Sequence, residues 1–153
     1  MQRETIESMM GSNISRCYKS SADIDALKYQ SEEEREAAKL LAEHDFNDMA
    51  LRHLWDSARF MLDGFLAQQG LAVTATGDKH KVTIVANEAT ALGSSIPAVL
   101  KQLNTLRARR NELAYPSEDT QPALRKEVDF YTGIINGLHS KFEEVLETLR
   151  VYS

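Results

Sequence analysis

An arginine interrupts the apolar stripe of a predicted helix in the C-terminal half of the chain. The apolar members of the stripe are Ile96, Val99, Leu103, Leu106 and Leu113. They follow one another at intervals of three or four residues, except for one interval of seven residues before Leu113. Arg110 fills that interval, where the pattern favours a leucine. A guanidinium stays charged and is costly to bury without a partner. Arg110 therefore requires a carboxylate, a bound phosphate or a subunit interface beside it.

Two interpretations of Arg110 follow from the residues themselves. In the first, Arg110 pairs with a buried carboxylate of its own subunit, and Asn111 caps backbone carbonyls where the helix ends. The candidate carboxylates are Asp56, Asp63 and Asp129. In the second, the guanidinium faces a ligand, because arginine binds phosphate oxygens well. The sequence leaves both interpretations open.

The other basic residues near this position are predicted to be solvated. Arg107 and Arg109, together with Lys101, form the concentrated basic surface of the chain. The chain as a whole is acidic, with a net charge of −5, which disfavours nonspecific binding to duplex DNA. A small basic patch can still hold one phosphate or a short RNA segment.

Length and composition indicate one folded domain. The chain has 153 residues, of which 42% are hydrophobic and 27% charged, as in ordinary globular proteins. The single cysteine, Cys17, cannot form an intrachain disulfide, so we expect a reducing, cytoplasmic setting. Because no apolar run reaches about 18 residues, we expect no contact with a membrane.

Hydrophobic periodicity predicts an all-α, up-and-down bundle of four main helices plus a short first helix or N-terminal arm. Residues 1–30 are predicted to be a partly ordered arm, and residues 31–153 a single helical bundle domain. Ser31 and the three glutamates after it resemble a capping box that starts a helix over 32–44. A second helix, capped by Asn47 or Asp48, ends at Gly70. Its predicted apolar stripe is Leu51, Leu54, Trp55, Ala58, Met61, Leu62, Phe65 and Leu66.

Three further helices complete the predicted bundle. The β-branched start of residues 79–92 also suits a strand, but a helix is favoured because no partner strand is evident. The next helix starts at a Ser95 cap and ends near Tyr115, where Pro116 stops it. The last starts at Thr120, and its seam is Leu124, Val128, Tyr131, Ile135, Leu138, Phe142, Val145, Leu149 and Tyr152. So long a seam is either intramolecular core or partly an interface with a second subunit.

The usual nucleotide and metal motifs are absent from the sequence. There is no glycine-rich phosphate loop, and no histidine is preceded by glutamate at the spacing of di-iron bundles. His44 and His53 are predicted to be solvated or interfacial. We therefore expect no metal and no cofactor.

The order of elements and several short segments resemble the HEPN family (higher eukaryotes and prokaryotes nucleotide-binding domain). These segments are 38–41 (AKLL) and 45–50 (DFNDMA) before an aromatic-bearing helix, 77–81 (GDKHK) at the third helix, and Arg110-Asn111 near the end of the fourth. The resemblance covers roughly residues 31–150. It implies an up-and-down α-helical bundle that is often a dimer. Many members of the family are metal-independent RNases, frequently toxins paired with a small nucleotidyltransferase antitoxin, and others are noncatalytic binding modules.

The family's catalytic motif is an arginine, a polar residue and a histidine a few residues further on. By resemblance, Arg110 and Asn111 take the first two places, while Tyr115 holds the place of the histidine. RNA cleavage through the 2′-hydroxyl needs a group that exchanges a proton near pH 7, which suits histidine and not tyrosine. Arginine can stabilise phosphate charge without any proton transfer, so binding survives this substitution better than catalysis.

The resemblance predicts an RNA- or nucleotide-binding homodimer with Arg110, Asn111 and Tyr115 as its site residues. Two helix ends facing each other would place two copies of these residues in one cleft. Ribonuclease activity of a toxin–antitoxin or defence type, with Tyr115 as a hydrogen-bonding acid, stays an open alternative. Another is a noncatalytic module that recruits a nucleotidyltransferase through the last helix, with Tyr115 as a modified residue. The third is a structural bundle in which Arg110 is fully paired.

Overall fold

Five helices and a two-stranded ribbon make up the part of the chain that the computed structural model describes, residues 14–73, 78–91 and 95–152. In chain order the elements are β1 (Ile14–Arg16), α1 (Ser21–Glu43), α2 (Asn47–Gln68), β2 (Leu71–Val73), α3 (Asp78–Ala91), α4 (Ile96–Ala114) and α5 (Arg125–Tyr152). The predicted all-α helical bundle is confirmed. No described helix combines the length and the apolarity that a membrane span requires.

The first helix starts earlier than the sequence analysis predicted. Ser20 caps α1 by accepting a hydrogen bond from the Asp23 N–H, and the Asp23 carboxylate accepts one from the Ser20 N–H. This is a complete capping box. Ser31, the predicted cap, lies inside the helix and is fully buried. The predicted start at residue 32 was therefore wrong, and residues 21–30, which were assigned to the arm, are helical. Residues 1–13 lie outside the described part.

Helix α2 lies at the centre of the bundle and follows the predicted apolar stripe. All eight predicted positions are buried: Leu51, Leu54, Trp55, Ala58, Met61, Leu62, Phe65 and Leu66. The Phe65 ring packs against Phe142 of α5 with the centroids 5.1 Å apart. Gly70 follows the helix with a φ of 72°, as expected of a C′ glycine.

The predicted side-chain caps of α2 have a different role. Phe46 is the N-cap residue, and no side chain caps the helix. The Asp48 carboxylate instead accepts a hydrogen bond from the Ala123 N–H at 2.7 Å, and Asn47 donates to the Ala123 carbonyl at 3.4 Å. Both side chains thus hold the segment before α5 against the turn between α1 and α2.

The helix predicted for residues 79–92 is confirmed, with Val82, Ile84, Val85 and Ala89 buried. Beside the helices, β1 and β2 pair antiparallel in the register Ile14 to Val73. Strand β2 follows directly after Gly70, where the sequence predicts the end of the second helix and no further element before residue 79. A three-residue strand is too short to show a recognisable alternation in sequence.

Helix α4 has the predicted span, although the Ser95 side chain makes no capping hydrogen bond. Helix α5 starts at Arg125, later than predicted, because the Thr120 hydroxyl accepts from the Ser117 N–H in a turn. The described part of the predicted seam is buried at Val128, Tyr131, Ile135, Leu138 and Phe142. Leu124, the first seam position, is 54% exposed, and the last three positions lie outside the side chains described.

Candidate functional site

Arg110 lies near the C-terminal end of α4, half-buried and without an ion pair among the described residues. Its Nη1 donates to the side-chain oxygen of the neighbouring Asn111 at 3.3 Å. Its Nε is buried and has no hydrogen-bond partner among the described residues. A buried donor without an acceptor is costly, so a bound anion would satisfy a group that the described chain leaves unsatisfied.

The three carboxylates predicted as partners of Arg110 pair with other cations. Asp56 lies 3.7 Å from Arg59, Asp63 lies 2.6 Å from Lys81, and Asp129 lies 3.1 Å from Arg125. The interpretation in which one of these groups neutralises Arg110 was therefore wrong.

Arg109, which was predicted to be solvated, instead connects α4 to the start of α5. Its side chain is only 14% exposed. The guanidinium donates to both carboxylate oxygens of Glu127 on α5, at 2.9 and 3.2 Å, and to the Gln121 carbonyl at 2.9 Å. It also contacts the half-exposed Glu112 at 3.1 Å. The prediction failed because the acidic partner is distant in sequence and α4 turns Arg109 towards α5.

The electrostatics of this pair agree with its geometry. The hydrogen bond with Glu127 raises the pKa of Arg109 above its ordinary value. Burial acts to raise the pKa of Glu127, but the hydrogen bonds from Arg109 and from the Leu124 N–H outweigh it and hold that pKa below its usual value. Both groups are therefore charged at neutral pH, and their attraction ties α4 to the start of α5.

Arg107 provides a second unpaired cation on the same helix. It lies one turn before Arg110, is half-buried, and its Nη1 is buried without a hydrogen-bond partner in the described part of the chain. Residues three apart lie on the same side of a helix. The prediction that Arg107 is solvated was therefore only partly correct, because partial burial of a side chain gives no signal in the sequence.

Asn111 and Tyr115 lie at the exposed end of α4. The Asn111 carbonyl accepts a hydrogen bond from the Tyr115 N–H at 3.0 Å, which closes the last turn. The Tyr115 side chain is 80% exposed. Asn111 was predicted to cap carbonyls, but its side chain accepts from Arg110 instead. The structure therefore brings all three predicted site residues to the same helix end.

Exposed apolar side chains occupy the same end of the bundle. Phe46 and Met49 are 56% and 47% exposed, and they line a shallow depression of about 350 Å³ together with Pro122 and Ala123. The Asp48 to Ala123 hydrogen bond places this depression beside the segment that connects α4 to α5.

No described histidine side chain bonds to this site. His139 is buried on α5, where its Nε2 lies 3.2 Å from the Ser31 hydroxyl. Burial, helped by the charge of Arg35, lowers the pKa of His139 to about 4. His53 contacts Glu34, and His44 is exposed at the C-cap of α1. Among the described residues, no imidazole is therefore placed to exchange a proton near pH 7 at the end of α4.

The fold is an all-α bundle, and its candidate site has Arg110 near the C-terminal end of α4. A family model described as the HEPN domain matches residues 24–150. The chain belongs to the HEPN domain family, which is a family of nucleotide- and RNA-binding, RNase-like domains. No curated protein and no solved structure matches the chain.

Proposed function

We propose that the C-terminal end of α4 binds RNA or a nucleotide through a phosphate held by Arg110. The observation that supports this role is the difference between two adjacent arginines. Arg109 is paired with Glu127 and Glu112, whereas Arg110 has no anion beside it among the described residues and a buried, unsatisfied Nε. A phosphate supplies oxygen acceptors in the geometry that a guanidinium prefers.

The neighbouring side chains suit the rest of a nucleotide. The exposed Tyr115 ring offers a flat surface on which a base can stack. Asn111, exposed beside Arg110, offers an amide that can donate to a sugar or a base. Arg107, one turn earlier, would contact a second phosphate. This set favours single-stranded RNA, whose bases are free to stack.

Binding is proposed as the main function, and cleavage as a weaker one. The position of the family's motif histidine carries Tyr115, whose hydroxyl can donate a hydrogen bond to a phosphate oxygen or a leaving group. A ribonuclease of the toxin–antitoxin or defence type would need this hydroxyl to act as the acid. We also propose that the protein is cytoplasmic. We propose that it forms a homodimer in which the C-terminal ends of the two α4 helices face each other across a common cleft.

A second candidate is a noncatalytic module that recruits another protein, such as a nucleotidyltransferase. The exposed Phe46 and Met49 favour it, because adjacent exposed apolar side chains often mark interaction sites. In this case Tyr115, 80% exposed, would be the residue that is modified. Intact mass after co-expression with a nucleotidyltransferase would show an added nucleotide, which the variant Tyr115→Phe would lack.

The test of the main proposal is fluorescence anisotropy with a labelled single-stranded RNA. Arg110→Ala should weaken binding by about 10- to 100-fold, the value of a charged hydrogen bond. Arg52→Ala is the matched control, since it removes the same charge from an exposed position on α2. Removal of a phosphate contact should also make the salt dependence shallower by about 0.7 in log–log slope.

Two results would contradict these proposals. Equal affinity in the wild type and Arg110→Ala, with Arg52→Ala also unchanged, would exclude the helix end as the binding site. Incubation of the same RNA with the wild type and Arg110→Ala tests cleavage, and no cleavage by either protein would remove the ribonuclease. Light scattering on the same samples measures the mass, and a monomer would exclude the proposed dimer.

A further inference from the structure

Three side chains with metal-binding atoms meet between α1 and α2, away from the end of α4. Glu34 projects from α1, and His53 and Asp56 are three residues apart on α2. One ligand atom of each lies within 4.8 Å of the ligand atoms of the other two. The His53 Nδ1 contacts the Glu34 Oε2 directly. The sequence analysis predicted that His53 is solvated or interfacial and that the chain binds no metal.

The helices bring these donors together for simple geometric reasons. Residues three apart lie on the same side of α2, so His53 and Asp56 point in a common direction. The long helix α1, which starts at Ser21 and not near residue 32, runs alongside and contributes Glu34. The pairing was hidden in sequence because Glu34 was interpreted as part of a first helical turn.

The distances require only a small rearrangement around an ion. Nitrogen and oxygen ligands bind Zn²⁺ at about 2.0–2.2 Å, so neighbouring ligand atoms lie roughly 3–3.6 Å apart. Since the ligand atoms already lie within 4.8 Å of one another, rotation of the side chains would bring Asp56 to this spacing and let Glu34 and His53 move apart around the ion. An ion bound there would replace the direct contact between Glu34 and His53.

Burial and charge at this cluster suit a bound cation. The side chains of Glu34, His53 and Asp56 are 23%, 32% and 28% exposed, so they are partly desolvated yet reachable from solvent. Two carboxylates and one imidazole meet there. Asp56 forms an ion pair with Arg59 at 3.7 Å, but the two side chains are too far apart for a hydrogen bond. Asp56 therefore retains oxygens that can coordinate a metal.

We propose that Glu34, His53 and Asp56 bind one divalent transition-metal ion, with Zn²⁺ as the best match to the donors. One imidazole nitrogen and two carboxylate oxygens suit Zn²⁺ and its neighbours in the first row, whereas Mg²⁺ and Ca²⁺ prefer oxygen ligands alone. Water would complete the coordination. Since the ligands come from two helices, the ion would link α1 to α2 and stabilise the folded protein.

The test is calorimetric titration of the chelator-treated full chain with ZnCl₂, MnCl₂ and MgCl₂, together with thermal unfolding. We expect one Zn²⁺ per chain, no Mg²⁺ binding, and a rise in Tm of about 5–10 °C at a hundredfold excess over Kd. His53→Gln and Asp56→Asn should each weaken Zn²⁺ binding more than about tenfold. His44→Gln and Glu32→Gln, on exposed positions of the same region, should leave it unchanged.

Several outcomes would overturn the proposal. No heat of binding and no shift in Tm on titration of the wild type would show that the three donors form only a hydrogen-bonded cluster. Binding that is as sensitive to His44→Gln as to His53→Gln would indicate adventitious surface histidines. Circular dichroism should show wild-type helicity in every variant, and His53→Gln that is fully helical and still binds Zn²⁺ with wild-type affinity would also exclude the site.

Discussion

Replacing Arg109 or Arg110 with alanine removes the same side chain from adjacent positions. We expect Arg109→Ala to lose mainly stability and Arg110→Ala to lose mainly RNA affinity. Arg109→Ala deletes two hydrogen bonds to Glu127 and one to the Gln121 carbonyl, and it leaves a partly buried carboxylate without its cation. Charged hydrogen bonds of this kind stabilise a protein by roughly 1.5–3 kcal/mol, and breaking a buried pair costs more. Because Glu127 is 28% exposed, we expect a loss of about 2–4 kcal/mol.

Arg110→Ala removes a side chain whose described hydrogen bond goes to the exposed Asn111. It also removes a buried Nε without an acceptor. The free energy of unfolding should therefore change by less than about 1 kcal/mol, in either direction. RNA affinity should show the reverse pattern, with the large loss at Arg110.

Thermal unfolding and RNA binding, measured on the same preparations, separate the two roles. For a chain of this size, the loss at Arg109 corresponds to a fall in Tm of about 5–15 °C, and that at Arg110 to less than about 4 °C. Glu127→Gln should reproduce much of the Arg109→Ala effect. If Arg110→Ala unfolds as early as Arg109→Ala, then Arg110 is a structural residue and the inference from its missing partner fails.

The remaining predictions concern the core and a turn. Burial lowers the pKa of His139 from 6.5 to about 4, so between these pH values the unfolded chain binds more protons than the folded chain. The free energy of unfolding should therefore decrease by up to about 3 kcal/mol as the pH falls through this range. Urea unfolding from pH 7 to 4 should show this slope, and His139→Gln should flatten it while His44→Gln does not. Gly70→Ala places an alanine at a φ of 72°, which costs about 1–2 kcal/mol of backbone strain and should lower Tm by roughly 2–8 °C. An unchanged Tm would show that the turn adopts another conformation.

Long periodic segments made most of the fold predictable from sequence. The stripe of α2 and the seam of α5 repeat over many turns, so an error at one position does not change the assignment. Helix starts were less predictable, because two capping boxes precede the same apolar pattern. Ser20 and Ser31 each have an acidic residue three positions later. Burial of Ile24 in the first turn and of Ser31 itself shows that the helix starts after Ser20.

The position of the candidate site was predictable, but the roles of its arginines were not. Arg110 stood out because it interrupts an apolar stripe, which is a pattern within one helix. The partner of Arg109 is Glu127, on another helix and after a turn, and no local spacing indicates it. The same limit applies to Glu34 and His53, which meet only because α1 and α2 pack side by side.

Consecutive residues on a helix point about 100° apart. This rotation explains how one arginine at the end of α4 can be paired with α5 while the next arginine is not. Arg109 turns towards α5, where Glu127 and the Gln121 carbonyl use most of its donors. Arg110 makes no hydrogen bond with those acceptors, and its Nε has no hydrogen-bond partner among the described residues. The anchor also fixes the last turn of α4, so Arg110 and Tyr115 are held in position before any ligand arrives. A preorganised cation loses less conformational entropy on binding, so loss of the Arg109 anchor should weaken RNA binding in a folded variant, but by less than Arg110→Ala does.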